Sequence, residues 1–258
     1  MIPALLHGKL SREQENMEDI LTSNVFGVLR YIRPEDGLLP FLRESEAIYG
    51  DIAPLLELKS PCQADYEFWP QLKESSAVGG QIYECPSCEP DVLIRITDST
   101  GTKVNVLVEA KLSSGKSSRP SDDPDRLHDQ LAREWDNLLC QSEKLGAEPV
   151  LIYLTADFSA PIEQVDESGK EYLRKRHQHR FACAWLSWRK IPVAFQENSE
   201  NALIQDLIQL CNRMNLRYFY RTTHFERSAQ IQWQFTMDEI EFNWLSEQPL
   251  RLTWRYEK

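Results

Sequence analysis

Asp91, Glu109 and Lys111 bring two carboxylates and an ammonium onto a short stretch of chain whose remaining residues read as a β-hairpin. The segment from Asp91 to Thr97 (DVLIRIT) is β-branched and apolar, Asp98 to Gly101 (DSTG) has turn chemistry, and Lys103 to Leu112 (KVNVLVEAKL) alternates with period two. On the second strand Val104, Val106, Val108, Ala110 and Leu112 share one face, and Asn105, Leu107, Glu109 and Lys111 share the other. Antiparallel pairing then sets Asp91, which opens the first strand, beside the end of the second. Two carboxylates and the main-chain carbonyl of Ala110 suit a hard divalent cation, Mg²⁺ or Mn²⁺ rather than Zn²⁺. Such a cation lowers the pKa of a bound water and neutralises phosphate charge, while Lys111 orients the nucleophile or stabilises developing negative charge. The chemistry implied is phosphodiester hydrolysis.

A Glu-x-Lys triplet is uninformative alone in a chain that is 27% charged, and Glu57-Leu58-Lys59 is a second copy. The copy at Glu109 ends a clear strand with Pro90-Asp91 behind it, whereas the copy at Glu57 follows Pro54 and has no such strand before it. The combination of Pro90-Asp91 with Glu109-Ala110-Lys111 resembles the core motif of the PD-(D/E)XK nuclease superfamily. Glu67 to Leu72 (EFWPQL) is also similar to a bacterial subgroup in which such a segment precedes the Glu-Pro-Asp strand. The resemblance covers residues 1–221. It implies an α/β, restriction-endonuclease-like fold, a mixed β-sheet flanked by helices, and a metal-dependent nuclease acting on DNA. It further implies an acid on the first helix that completes the metal site, matched by Glu18. In some branches a Gln on the helix after the Glu-x-Lys strand touches water or phosphate, and Gln130 matches it.

The elements that must position these groups are legible nearby. Ser11-Arg-Glu-Gln14 is a capping box, and Met17, Leu21, Val25, Val28, Leu29 and Ile32 recur behind it at helical spacing. Glu18 falls on the row of Leu21, Val25 and Leu29, so its carboxylate faces the interior or its rim and wants a partner. A second helix is expected from Leu127, with Leu131, Trp135, Leu138 and Leu145 near one side, Gln130 at its edge, and Glu134 one turn on within reach of Gln130. Between strand and helix, residues 113–125 (SSGKSSRPSDDPD) read as a mobile loop that substrate orders. Pro149 to Thr155 is a short apolar run consistent with a buried strand reached by a strand-helix-strand crossover. A basic helix over 167–179, a strand from Phe181 to Trp188 and a helix over 200–215 complete the core. Residues 222–258 read as an appended β-rich hairpin in which Trp233, Phe235, Trp244 and Trp254 pack rather than stack on bases.

Composition bounds the rest. A chain of 258 residues, 41% hydrophobic, buries one full core. A formal net charge of −11 argues against nonspecific coating of nucleic acid, so any DNA contact must use local patches. Two are available: Lys111, Lys116 and Arg119 around the loop after the second strand, and Arg174, Lys175, Arg176 and Arg180, with His177 and His179 among them. No apolar run reaches membrane-spanning length and the amino terminus lacks a signal-peptide pattern, which leads us to expect a cytoplasmic protein with no membrane partner. The six cysteines read as reduced, buried thiols, although Cys85-Pro-Ser-Cys88 has the spacing of half a zinc site. A competing reading is a nuclease-like binding subunit or effector-gated module, a homodimer or one part of a complex, that needs a partner for DNA affinity.

Overall fold

The computed structural model describes residues 18–78, 81–121, 126–176, 180–195 and 200–218, with Ile2 and Asp123. All belong to the first of two units into which the chain divides, Met1–Tyr218. The expected capping box at Ser11, the pair His177 and His179, and the hairpin at 222–258 lie outside the described residues.

In chain order the helices are α1 (Glu18–Leu29), α2 (Leu38–Leu42), α3 (Ala53–Leu56), α4 (Gln130–Leu145), α5 (Ile162–Arg176), α6 (Ile191–Ala194) and α7 (Ala202–Arg213). The strands are β1 (Glu46–Tyr49), β2 (Gln63–Phe68), β3 (Ser75–Val78), β4 (Gln81–Glu84), β5 (Val92–Thr97), β6 (Lys103–Ala110), β7 (Glu148–Thr155) and β8 (Cys183–Ser187). Six of them form a mixed sheet in the order β1-β8-β7-β6-β5-β2, and β3 pairs with β4 alone. The chain is therefore α/β, a mixed sheet flanked by helices, as the sequence led us to expect at that level.

The hairpin is antiparallel with Val92 opposite Val108, so one further step of the register sets Asp91 opposite Glu109. β6, β7 and β8 run parallel, joined through α4 and α5. Crossovers of one hand advancing in one direction place their helices on one face. There Leu131, Trp135, Leu138, Val165 and Tyr172 pack with Leu107 and Leu151 of the sheet. The other face carries Val104, Val106, Val108 and Ala110 against Leu21, Val25 and Leu29 of α1, Leu38 of α2 and Leu207 of α7. The two faces of β6 are those the alternation predicted, and both are covered, which is why the strand is buried from Val104 to Ala110. Burying each such Leu or Val contributes about 1.5–3 kcal/mol before chain entropy is charged against it.

The helix expected from Leu127 starts at Gln130. Asp129 holds extended backbone (φ −61°, ψ 138°) and its carboxylate accepts the Ala132 N–H at 3.2 Å, which makes it the N-cap. Gly146 in the left-handed region ends the helix. Gln130 therefore occupies the first helical position, facing the strand ends. The strands β1 and β2 were not anticipated: both lie at sheet edges, and β2 (QADYEF) alternates exposed with half-buried residues, a weak hydrophobic signal. Glu57 caps the short α3 and Lys59 follows in a loop, so the second Glu-x-Lys lies on no strand.

Candidate active site

The carboxylate of Asp91 is buried and its Oδ2 accepts the Ala110 N–H at 2.8 Å, tying the start of β5 to the end of β6. Glu109, one residue back, is 2% exposed, and Lys111, one residue on, is 7% exposed. The Lys111 ammonium donates to Glu109 Oε1 at 2.5 Å and to Glu18 Oε1 at 3.1 Å. Gln130 Nε2 donates to the same Glu109 oxygen, while Gln130 Oε1 accepts the Ser117 N–H at 2.8 Å. The five residues singled out by sequence are thus assembled at one end of the sheet, Asp91, Glu109 and Lys111 from the hairpin, Glu18 from α1 and Gln130 from α4.

Glu18, which the resemblance matches to a metal ligand, is held here by hydrogen bonds to Lys111 and the chain leaving β6. Its Oε1 is taken by Lys111, and its Oε2 accepts the Leu112 N–H at 2.8 Å and the Ser114 hydroxyl at 3.2 Å. Both oxygens hold the ammonium and the chain leaving β6, so Glu18 orients Lys111 and closes the loop.

Glu134 was missed as a site residue. It is 1% exposed, one turn after Gln130 on the same side of α4, and its carboxyl is hydrogen-bonded to that of Glu109. Its Oε2 has no partner among the described residues. The signal was present in the sequence as Gln-x-x-x-Glu on a face turned toward Glu109.

Electrostatics follow from crowding acids out of water. Burial, then the neighbouring Glu109 charge, pushes the Asp91 pKa up to about 7 against the pull of the Ala110 N–H and Lys111. Burial raises Glu109 as well, although Lys111 and Gln130 oppose it. Burial and the facing Glu109 hold Glu134 well above the carboxylate range, so Glu134 carries the proton of that contact. Burial pulls the Lys111 pKa down, but Glu109 and Glu18 outweigh it and hold the ammonium charged. The main chain at Lys111 is fixed from both sides: its N–H donates to Leu154 O at 2.7 Å and its carbonyl accepts from Trp188 Nε1 at 3.2 Å.

The expected phosphate contacts divide. Lys116 is buried, donating to Asp129 Oδ2 at 2.5 Å, Gln164 O at 2.7 Å and Ser168 Oγ at 2.8 Å. Lys175 is buried against Glu171 and the carbonyls of Ser121 and Arg126, and Arg176 pairs with Asp136 at 2.9 Å. These three are corrected: their charges are spent inside the protein. The described part of the loop is tied to α4 and α5 through Lys116, Ser117 and Ser121. Arg119 and Arg174 are exposed, and Arg180 makes a half-exposed pair with Glu148.

Cys85 and Cys88 do not form a half-site. Cys85 Sγ lies 3.4 Å from Cys140 Sγ, while Cys88 turns toward Arg133 O. Cys85, Cys140 and Asp136 make the one group of three potential metal ligands within 4.8 Å of one another among the described residues. Arg176 already neutralises Asp136, and hydrogen bonding to Cys140 together with burial keeps Cys85 a thiol. All six cysteines are buried. No helix among the described residues is long and apolar enough to cross a membrane.

No family model, curated protein or solved structure matches the chain.

Proposed function

We propose that this chain is a metal-dependent nuclease of the PD-(D/E)XK type with a restriction-endonuclease-like core, hydrolysing phosphodiester bonds of DNA with Mg²⁺ or Mn²⁺. The observation that carries the reading is the meeting of Asp91, Glu109 and Lys111 at the ends of paired strands, with Glu18 and Gln130 closing on them. Metal-dependent hydrolysis of a phosphodiester uses an anchored cluster of hard oxygens next to a fixed positive charge, and a buried acid pair of this kind is costly unless something cationic repays it.

The residues present fit a hard divalent cation. Asp91, Glu109 and the Ala110 carbonyl are oxygen donors on adjacent strand ends, the raised pKa of Asp91 marks a shortage of positive charge beside them, and Glu134 adds a buried oxygen without a partner among the described residues. When bound there, such a cation would polarise the phosphate and activate water. Lys111 holds its proton and presents a fixed ammonium toward the scissile phosphate, Glu18 aims that ammonium, and Gln130 fixes the rotamer of Glu109. Glu134 contributes by holding a proton against Glu109.

The test is cleavage of supercoiled, linear and single-stranded DNA and of RNA with Mg²⁺ or Mn²⁺. Activity that disappears in Glu109→Ala and Lys111→Ala supports the reading; activity unchanged in both, or none on any substrate, sinks it. A second reading, a nuclease-like subunit that borrows DNA affinity from a partner or a second copy, is favoured by one observation. The chain is acidic, and Lys116, Lys175 and Arg176 are consumed internally. Cleavage that appears only with a co-purifying partner would select it.

A further inference from the structure

Two non-glycine residues among those described have positive φ, Trp69 at 48° and Asn215 at 56°. Asparagine tolerates this region; for a bulky tryptophan it is a true outlier. Trp69 also precedes Pro70, whose ring pushes the residue before it toward extended backbone, so the conformation is opposed twice. It is held by one ladder bond, the Trp69 N–H donating to Asp91 O at 2.9 Å, and the register that pairs Phe68 with Val92 sets Trp69 across from Asp91.

Core packing does not account for the strain. Trp69 is 39% exposed and belongs to neither core cluster, whereas the neighbouring Phe68 packs on the α1 side of the sheet. The Trp69 ring meets Phe68 at 5.6 Å between centroids, tilted by 44°, and keeps much of its surface open. A strained backbone, paired with the main chain of the residue that carries the proposed metal-binding carboxylate and bearing a half-open indole, is the pattern of a ligand contact. The Cα atoms of opposed strand residues stand about 5 Å apart, so the main chain bearing the ring is within about one nucleotide of a phosphate held by Asp91.

We propose that Trp69 is a stacking platform for the base next to the scissile phosphate. Because a base offers its face only when unpaired, the substrate is single-stranded or frayed nucleic acid rather than closed duplex. This rests on the nuclease reading.

The experiment uses the full chain, as wild type, Trp69→Gly, Trp69→Leu and Trp69→Phe. Each is assayed for kcat and KM on a single-stranded oligonucleotide and on copies carrying one abasic position in turn. One base stacked on an aromatic ring contributes roughly five- to a hundred-fold in affinity. The Gly and Leu variants should raise KM by that order with a smaller change in kcat, and Phe should restore most of it. One abasic position should cost the wild type a similar factor and cost Trp69→Gly nothing. Since glycine relieves the positive φ, the Gly variant should melt no lower than wild type.

An abasic penalty equal in wild type and Trp69→Gly overturns the assignment, as does full activity in Trp69→Leu. A marked fall in the melting temperature of Trp69→Gly also overturns it, making the ring structural. Cleavage of closed duplex in preference to single strands sinks the substrate class. A wild type that neither binds nor cuts any nucleic acid removes the nuclease reading itself, a result distinct from the others.

Discussion

Asp91→Asn should make the metal-free protein more stable at neutral pH while destroying its activity. Asp91 has a folded pKa of about 7 against an ordinary 3.8, because it is buried beside Glu109. The native state therefore binds the proton more tightly than the unfolded chain, and stability falls as pH rises from about 4 to about 7, staying low above that. A shift of about three pKa units corresponds to roughly 4 kcal/mol of native-state penalty at pH 8, of which roughly 1.5 kcal/mol is already present at pH 5. Asparagine keeps an oxygen for the Ala110 N–H and carries no charge to bury. Its stabilising effect in EDTA should accordingly be larger at pH 8 than at pH 5, by on the order of 2–3 kcal/mol. At about 2–4 °C per kcal/mol for a domain of this size, the difference is easily read by thermal unfolding at the two pH values. Mn²⁺ at a hundred times its Kd should return about 2.7 kcal/mol to the wild type and nothing to the variant. The reasoning fails if Asp91→Asn has the same effect at both pH values, or if Mn²⁺ stabilises both proteins equally.

Lys116→Met removes the partner of a carboxylate buried at Asp129. It should destabilise by about 3–5 kcal/mol in denaturant melts, and the salt dependence of nucleic-acid binding should not change, since this lysine touches no phosphate. Glu134→Gln keeps a neutral donor against Glu109 and should retain most activity, whereas Glu134→Ala leaves Glu109 loose and should lower kcat by roughly ten- to a hundred-fold. Equal losses in the two variants, measured on the same substrate, would count against the hydrogen-bond role.

The hairpin was legible because β6 alternates cleanly and Asp98 to Gly101 marks its turn, and this fixed which faces Glu109 and Val108 take. β7, β8, α5 and α7 were legible as apolar runs or helical stripes. The edge strands β1 and β2 were not, because half-exposed strands carry little hydrophobic contrast. Basic residues were visible as charges, but burial is a property of their partners. Lys116 and Lys175 look like surface groups until α5 brings Ser168 and Glu171 to them. Glu18 was placed correctly beside Lys111, while its bonds to Leu112 and Ser114 depend on how the chain leaves β6. Trp69 was legible only as part of the segment Glu67 to Leu72, and its positive φ depends on how the chain leaves β2.

The main chain of Lys111 hangs between the carbonyl of Leu154 and the indole of Trp188, and that indole is itself wedged against Phe26 and Phe41. The floor of the site is thus continuous with the hydrophobic core on the α1 face of the sheet. No small fluctuation can release it, so the Lys111 amide should exchange with solvent only when the whole domain opens. Heat should extinguish activity at the temperature where the core melts, without an earlier phase in which the site alone has come apart.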